Sequence, residues 1–130
     1  MATTGSLSLN GVNKYLEDLA RAGKDVDRAA KSGLMAGGQV IADGMKQDVP
    51  KDTHHLENTI GVEEPQQSGN FIFTRVGVLT DDKETAIYGN VQEFGSSSVE
   101  AQPFVRPSFK KKKAAAMKAM RKAIENEGLL

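Results

Sequence analysis

The residues of this chain best suited to catalysis or metal binding are two adjacent histidines, His54 and His55, and the serines at 96–98. Adjacent side chains diverge in regular structure, and the sequence has no cysteine and no third histidine to complete a metal site. The serines have no paired base, and no nucleophile elbow or phosphate-binding loop occurs. The enzyme alternative, using Asp52, His54 and a serine, would need convergent geometry. We therefore expect no enzymatic activity, no metal and no cofactor.

Glu93 is a better candidate for a specific interaction. It lies between Val91 and Phe94, where partial burial would make a carboxylate without a partner costly. Arg106, downstream in the chain, is the cation that we expect to pair with it, either within the subunit or across an interface. The alternative is that both charges are exposed to solvent.

Two prolines, Pro103 and Pro107, flank a short segment that contains Phe104. Each proline fixes its own φ and pushes the preceding residue toward extended geometry, so residues 102–106 are predicted to form a stiff, non-helical arm. Such an arm presents aromatic anchors to a partner at low entropy cost, with a place in the core as the alternative for Phe104 and Phe109. The predicted subunit or partner interface comprises Tyr88, Glu93, Phe94, Gly95, Pro103, Phe104, Arg106 and Pro107.

The net charge of zero conceals a strongly polarised chain. Residues 1–105 carry 9 basic and 15 acidic side chains, whereas residues 106–130 carry 8 basic and 2 acidic ones. This asymmetry predicts either self-association, acidic body against basic tail, or a basic helix offered to an anionic partner; a solvated helix face is the alternative. The predicted basic patch comprises Lys110, Lys111, Lys112, Lys113, Lys118, Arg121 and Lys122.

Hydrophobic spacings of three and four predict three helices: a short one over residues 12–22, a long one over 24–49 and a final one from Phe109 to Gly128. The long helix contains several glycines, each of which costs about 1 kcal/mol relative to alanine in a helix interior. Gly33, Gly37 and Gly44 share one face, where we expect a helix or sheet to approach the backbone closely.

Alternating or β-rich segments predict a strand at residues 6–9 and an antiparallel meander from residues 56–62, 71–79 and 85–91. Residues 88–94 could instead form a short helical turn. The expected fold class is α+β, with the long helix and the C-terminal helix packed on a small antiparallel β-sheet. A length of 130 residues is consistent with one domain spanning 1–130. Neither a membrane-spanning run nor a signal peptide is recognisable.

Several short motifs together resemble a tailed-bacteriophage family of small tail-component proteins. The clearest are Glu93-Phe94-Gly95 and the Pro-Phe-Val-Arg-Pro run at 103–107. Upstream, residues 50–60 are similar to the family's Pro-x-x-Thr-Gly-x-Leu-x-x-Ser-Ile segment, and Val76-Gly77 and Tyr88 fall where its next motifs fall. The chain departs from the pattern at His54, where the family usually has glycine, and at Ser96, where it usually has threonine.

The resemblance implies a non-enzymatic virion protein of the phage neck, assembled in the cytoplasm of the host bacterium. It implies a ring of identical subunits, expected to be a hexamer like the tail, that joins the tail to the capsid connector. The implied partners are head-completion or connector proteins and tail terminator or tail tube proteins, with non-specific contact to DNA in the channel and no membrane. The alternative is a small nucleic-acid-binding protein that uses residues 106–122 and binds nucleic acid as a monomer in a salt-sensitive way.

Overall fold

A computed structural model describes residues 3–9, 12–50, 55–68 and 71–129. In chain order the elements are β1 (Thr4–Ser8), α1 (Asn13–Arg21), α2 (Val26–Asp48), α3 (His55–Asn58), β2 (Ile60–Val62), β3 (Gln66–Ser68), β4 (Phe71–Val78), α4 (Lys83–Phe94) and α5 (Val105–Leu129). The predicted α+β class is confirmed: a small antiparallel sheet packs against long helices.

The sheet is organised around β4, which pairs antiparallel with β1 and also with β2 and β3. Thr4 lies opposite Gly77 in the β1 pairing, and Ile60 lies opposite Val78 in the β2 pairing. Because β2 and β3 pair with different parts of β4, they act as one interrupted strand. The sequence predicted no strand between residues 62 and 71, whereas β3 lies there and extends the sheet.

The long helices α2 and α5 pack along the glycine face that the sequence predicted. A β-carbon added at Gly33 would lie 3.0 Å from the Ile124 side chain, and one at Gly44 would lie 2.9 Å from that of Lys112. At Gly37 an added β-carbon would overlap Met120. The glycines of α2 therefore let the two helices approach closely, and the predicted reason for their presence is confirmed.

Replacing Gly37 with valine is expected to lower the free energy of unfolding by about 1–3 kcal/mol, because the new side chain has to displace Met120 from a packed core. Gln39→Val is the matched control, since it places the same side chain in the same helix at an exposed position. Its effect should stay within about 0.5 kcal/mol. Urea denaturation measures both, and equal effects of the two variants would contradict close packing at Gly37.

The predicted strand at residues 85–91 is wrong, because this segment belongs to α4, and the alternative of a helical turn at residues 88–94 is confirmed. The Asp82 side chain accepts a hydrogen bond from the Thr85 backbone N–H at 3.2 Å and so caps the start of this helix. Of the predicted strand at 56–62, only residues 60–62 form a strand, which is β2. The preceding residues 55–58 form α3.

The C-terminal helix also differs from its prediction at both ends. It begins at Val105, before the predicted start at Phe109, and it continues past Gly128 to Leu129. Pro107 is compatible with this early start because it lies in the first turn, where backbone N–H groups have no partner within the helix. The predicted stiff arm is therefore wrong for residues 105 and 106, which are helical.

Candidate assembly interface

Helix α4 buries polar residues and exposes several large apolar ones. Its buried residues are Thr85, Gly89, Gln92 and Glu93. Its exposed residues include Ile87, which is 62% exposed, Tyr88 at 39% and Phe94 at 59%. Of the five large hydrophobic residues that are exposed in the described part of the chain, four lie on α4 or in the loop that follows it.

Ile87, Val91 and Phe94 are spaced by four and three residues, so they lie on one side of α4. We refer to these three residues as the α4 stripe. Val91 is half-buried, whereas Ile87 and Phe94 project further into solvent. Burying a side chain of this size contributes about 1.5–3 kcal/mol, so the stripe has the properties of a surface that a partner covers.

The polar residues on the buried side of α4 form hydrogen bonds. The Thr85 hydroxyl donates to the Asp82 carboxylate, and Thr85 Oγ1 lies 2.8 Å from Nε2 of His55. The Gln92 carbonyl accepts from the Gln102 N–H at 2.7 Å. Gly89 packs closely against Leu56, because a β-carbon added at Gly89 would lie 3.2 Å from the Leu56 side chain. These contacts fix α4 in an orientation that leaves its apolar side exposed.

Glu93 is 1% exposed and caps the start of α5 with its carboxylate. Oε1 accepts hydrogen bonds from the backbone N–H groups of Phe104 at 2.8 Å and Val105 at 2.7 Å, and Oε2 accepts from that of Arg106 at 3.0 Å. The next residue, Pro107, has no N–H. One carboxylate therefore satisfies the donors that the first turn of a helix normally leaves open, and its charge suits the positive end of the helix dipole.

The predicted pair of Glu93 and Arg106 is confirmed, and it forms within one chain. Arg106 Nε donates to Glu93 Oε2 at 2.7 Å, and Nη2 donates to the Glu93 carbonyl at 2.6 Å. The guanidinium also lies over the Phe94 ring, 4.7 Å from its centroid. Glu93 and Phe94 thus tie the end of α4 to the start of α5.

Opposing effects act on the pKa of Glu93. Burial of the carboxyl raises its pKa, but the Val105 N–H, the Arg106 guanidinium and the other backbone donors outweigh it and hold the pKa below its ordinary value. A carboxyl whose pKa is lowered by folding stabilises the protein fully above its unfolded-state pKa, about 4.3. That stabilisation is lost as the pH falls through the folded-state pKa.

We therefore expect acidification below about pH 4.3 to lower the urea midpoint of the protein, with Glu93 as one cause. The Asp82 carboxyl, whose pKa is also lowered chiefly by its hydrogen bond to the Thr85 side chain, contributes in the same direction. Glu93→Gln should be less stable at neutral pH and should lose less stability on acidification. Midpoints measured across the acidic range test this, and parallel pH profiles would contradict the role of Glu93.

Phe104 was predicted to be an interface anchor, and this is wrong. It is 0% exposed and belongs to the core cluster that includes Ile41, Met45 and Val105. The reason is that the N–H groups at the start of α5 bond to Glu93, which pulls Phe104 inward. Phe109 packs against the same core and is half-buried. Pro103 is exposed, and Pro107 is half-buried in the first turn of α5.

Replacing Phe104 with alanine is expected to lower the free energy of unfolding by about 3–5 kcal/mol, the usual cost of truncating a buried phenylalanine. Phe94→Ala is the matched control, because it removes the same side chain from an exposed position. Its cost should be below about 1 kcal/mol. Chemical denaturation measures both variants, and a Phe104→Ala protein as stable as Phe94→Ala would restore the interface interpretation.

The remaining predicted interface residues lie beside the stripe. Tyr88 is exposed on α4. Gly95 ends α4 with a φ of 77°, a conformation that favours glycine, and its N–H bonds to the Val91 carbonyl at 2.7 Å. Ser96 Oγ accepts from the Val99 N–H at 3.1 Å, so this serine holds the loop after α4. Each residue of Glu93-Phe94-Gly95 thus has its own role: capping α5, completing the stripe and ending α4.

The predicted basic patch lies on α5, although two of its lysines contact α2. Lys111 Nζ lies 2.5 Å from an Asp48 carboxylate oxygen, and the stem of Lys112 covers Gly44. Arg121 lies over the Tyr15 ring, 5.3 Å from its centroid. The exposed members of the patch are Lys110, Lys111, Lys113, Lys118, Arg121 and Lys122.

Asp52 and His54, which the enzyme alternative requires, lie outside the described residues, whereas His55 belongs to α3 and contacts Thr85. Within the described ranges, no group of three or more histidine and acidic side chains is placed to hold a metal ion.

Ile87 and Val99 are exposed residues that the sequence prediction missed. Ile87 could have been identified if residues 83–94 had been interpreted as a helix, because it then shares a side with Val91 and Phe94. Val99 carries no comparable signal, since its exposure depends on the turn that Ser96 holds.

The model of the family described as "Bacteriophage HK97-gp10, putative tail-component" matches residues 11–95. The match covers more than half of the chain and includes all of α4. The chain therefore belongs to this HK97-gp10-like family of phage tail components, as its motifs predicted. Comparison with curated proteins and with solved structures finds no match.

As a phage tail component the chain is a virion protein that interacts with other phage structural proteins. Among the residues that the structure describes, no helix is both long enough and apolar enough to span a membrane.

Proposed function

We propose that this tail component is a structural, non-enzymatic subunit of the phage neck that completes the tail and joins it to the capsid connector. Assembly would take place in the host cytoplasm. In this proposal the subunits form a closed ring, expected to be a hexamer like the tail. Head-completion or connector proteins bind one side of the ring, and tail terminator or tail tube proteins bind the other.

The observation that carries the proposal is the α4 stripe. A helix that buries Glu93 and exposes Ile87 and Phe94 has its apolar side available for another protein. The stripe is also rigid, since Glu93 ties α4 to α5 and Gly89 lets α4 approach Leu56 closely. A rigid apolar surface loses little entropy on binding, which suits a permanent structural joint.

The basic patch supports a ring in a second way. A closed ring repeats each subunit's patch around its axis, so that six exposed cations per subunit create a strong positive field. We expect these cations mainly to contact acidic surfaces of neighbouring proteins, because residues 1–105 carry the excess of acidic side chains. Non-specific contact with DNA in the channel is the secondary role, and it would weaken as salt increases.

The proposal is tested with a phage whose gene for this chain carries an early stop codon. Lysates are expected to contain DNA-filled heads and free tails of full length that remain separate. Adding the purified chain to such a lysate should join them and restore infectious particles. Lysates without full-length tails would instead assign the chain to tail assembly, and intact virions would show that the chain is dispensable; either result would overturn the proposal.

A further inference from the structure

A groove of about 630 Å³ lies between β1 and α5, on elements that do not include α4. All of β1 lines it, together with α5 residues that include Phe109, Met117 and Met120. Lys110 and Lys113 contribute cations to the same lining, and so does Arg106, whose charge is already paired with Glu93. We call this feature the β1–α5 groove. It combines an apolar interior with a basic rim.

The surroundings of the α4 stripe have the opposite charge. Asp81, Asp82 and Glu84 are exposed at the start of α4, and Glu100 is exposed in the loop that follows it. Lys83 is the single cation among residues 81–100. Apart from Arg106, whose guanidinium lies over the Phe94 ring, the stripe is thus an apolar ridge with an acidic border, which complements an apolar groove with a basic rim.

The lengths of the two features are also compatible. Ile87 and Phe94 are seven residues apart, which corresponds to about 10 Å along a helix. The α5 residues that line the groove run from Val105 to Met120, which corresponds to about 22 Å. The lining along α5 is therefore longer than the stripe.

We propose that the α4 stripe of one copy of this chain fills the β1–α5 groove of the next copy. The stripe cannot leave its position to enter the groove of its own chain, because the Glu93 cap and the close contact at Gly89 hold α4 in place. Asp81 and Glu84 then face Lys110 and Lys113 of the neighbour. Ridge and groove are different surfaces, which adjoin where Arg106 contacts Phe94, so the contact is heterologous and each copy binds two neighbours.

This inference rests on the proposed ring and names the surfaces that close it. Opposite charges at the rim fix the register and disfavour wrong partners, while the apolar residues supply most of the affinity. Such repeated contacts generate a closed ring when the rotation between neighbours divides a full turn, and an open filament otherwise. The neck proposal requires the closed form.

Cysteine cross-linking in the virion tests the contact directly, because the chain has no cysteine of its own. A phage is made whose chain carries both Ile87→Cys and Met117→Cys, and purified virions are treated with a short bismaleimide. Denaturing gels are expected to show a ladder of dimers and higher multiples. Each single variant should give no ladder, and Ile87→Cys combined with Lys14→Cys, an exposed position on α1, is the matched control pair.

Charge reversal gives an independent readout. Lys110→Glu with Lys113→Glu, or Asp81→Lys with Glu84→Lys, is expected to reduce infectious titre at least about tenfold, since like charges facing each other at an interface cost several kcal/mol. Combining all four substitutions should restore the titre. Failure of this rescue, with all variant chains folded and produced at equal levels, would overturn the pairing.

The outcomes distinguish the contact from the function. Virions that contain the chain in the neck but give no ladder would overturn the contact and leave the joining role standing. Cross-links from position 87 to a different virion protein would likewise assign the stripe to that protein. Absence of the chain from the neck would instead overturn the proposed function on which the contact depends.

Discussion

A phage whose chain carries Ile87→Glu together with Phe94→Glu is expected to release filled heads and separate tails in place of joined virions. Both side chains are more than half exposed, so the subunit should still fold. Each anchor contributes about 1.5–3 kcal/mol when buried, and losing both corresponds to a loss of about two to four orders of magnitude in affinity.

Plaque titre and electron microscopy of lysates measure the effect. Met35→Glu is the matched control, because Met35 is also a large exposed apolar residue but belongs to α2. Its phage should form normal virions. If the double variant folded and gave the same titre as the control variant, the α4 stripe would not be the surface that joins the subunits.

Glu93→Ala is expected to destabilise the isolated subunit by about 3–5 kcal/mol, the largest effect that we predict for a polar residue. The substitution removes the acceptor of three backbone N–H groups and of the Arg106 guanidinium at once. These donors lie at the start of α5, where Phe104 and Val105 are buried, so their backbone N–H groups cannot readily form hydrogen bonds to water instead. Thermal and urea denaturation measure the loss.

Arg106→Met separates helix capping from ion pairing. In this variant Glu93 retains its three backbone donors, and the side chain that is removed is largely exposed. We expect a smaller cost of about 1–2 kcal/mol. An Arg106→Met protein as unstable as Glu93→Ala would mean that the ion pair, and not the cap, holds α4 against α5.

The sequence predicted the elements that follow a regular period. The long helix, the short helix before it and β4 were all predicted because their apolar residues recur at the spacing of the element concerned. The glycine face of α2 was predicted from the same spacing. Gly33, Gly37 and Gly44 destabilise a helix relative to alanine, and close packing by a neighbouring element compensates for this cost.

Helix α4 was the main error, and its cause is physical. Its buried residues are polar or glycine, and its exposed residues mix large apolar side chains with polar ones, so the pattern that normally identifies an amphipathic helix is missing. Val91 and the aromatic residues of the segment also favour a strand by propensity. A stronger local signal favours a helix: Asp82 lies three residues before Thr85, and its side chain caps the helix start by accepting the Thr85 N–H.

The role of Phe104 could not be derived locally. Its position in the core depends on Glu93, a residue 11 positions earlier in the chain, which accepts its backbone N–H. The sequence correctly indicated that Glu93 requires a partner and that Arg106 supplies the charge. It gave no sign that the same carboxylate also caps a helix, because the donors are backbone N–H groups, which almost every residue type has.

The central claim is that this tail component forms a closed ring in the neck through its exposed α4 stripe. The most direct test is a cryo-electron microscopy reconstruction of the neck in intact virions. We predict a closed ring of identical copies, expected to be six, in which Ile87 and Phe94 are covered by protein. A single copy per virion, or a ring in which both side chains face solvent, would contradict the claim.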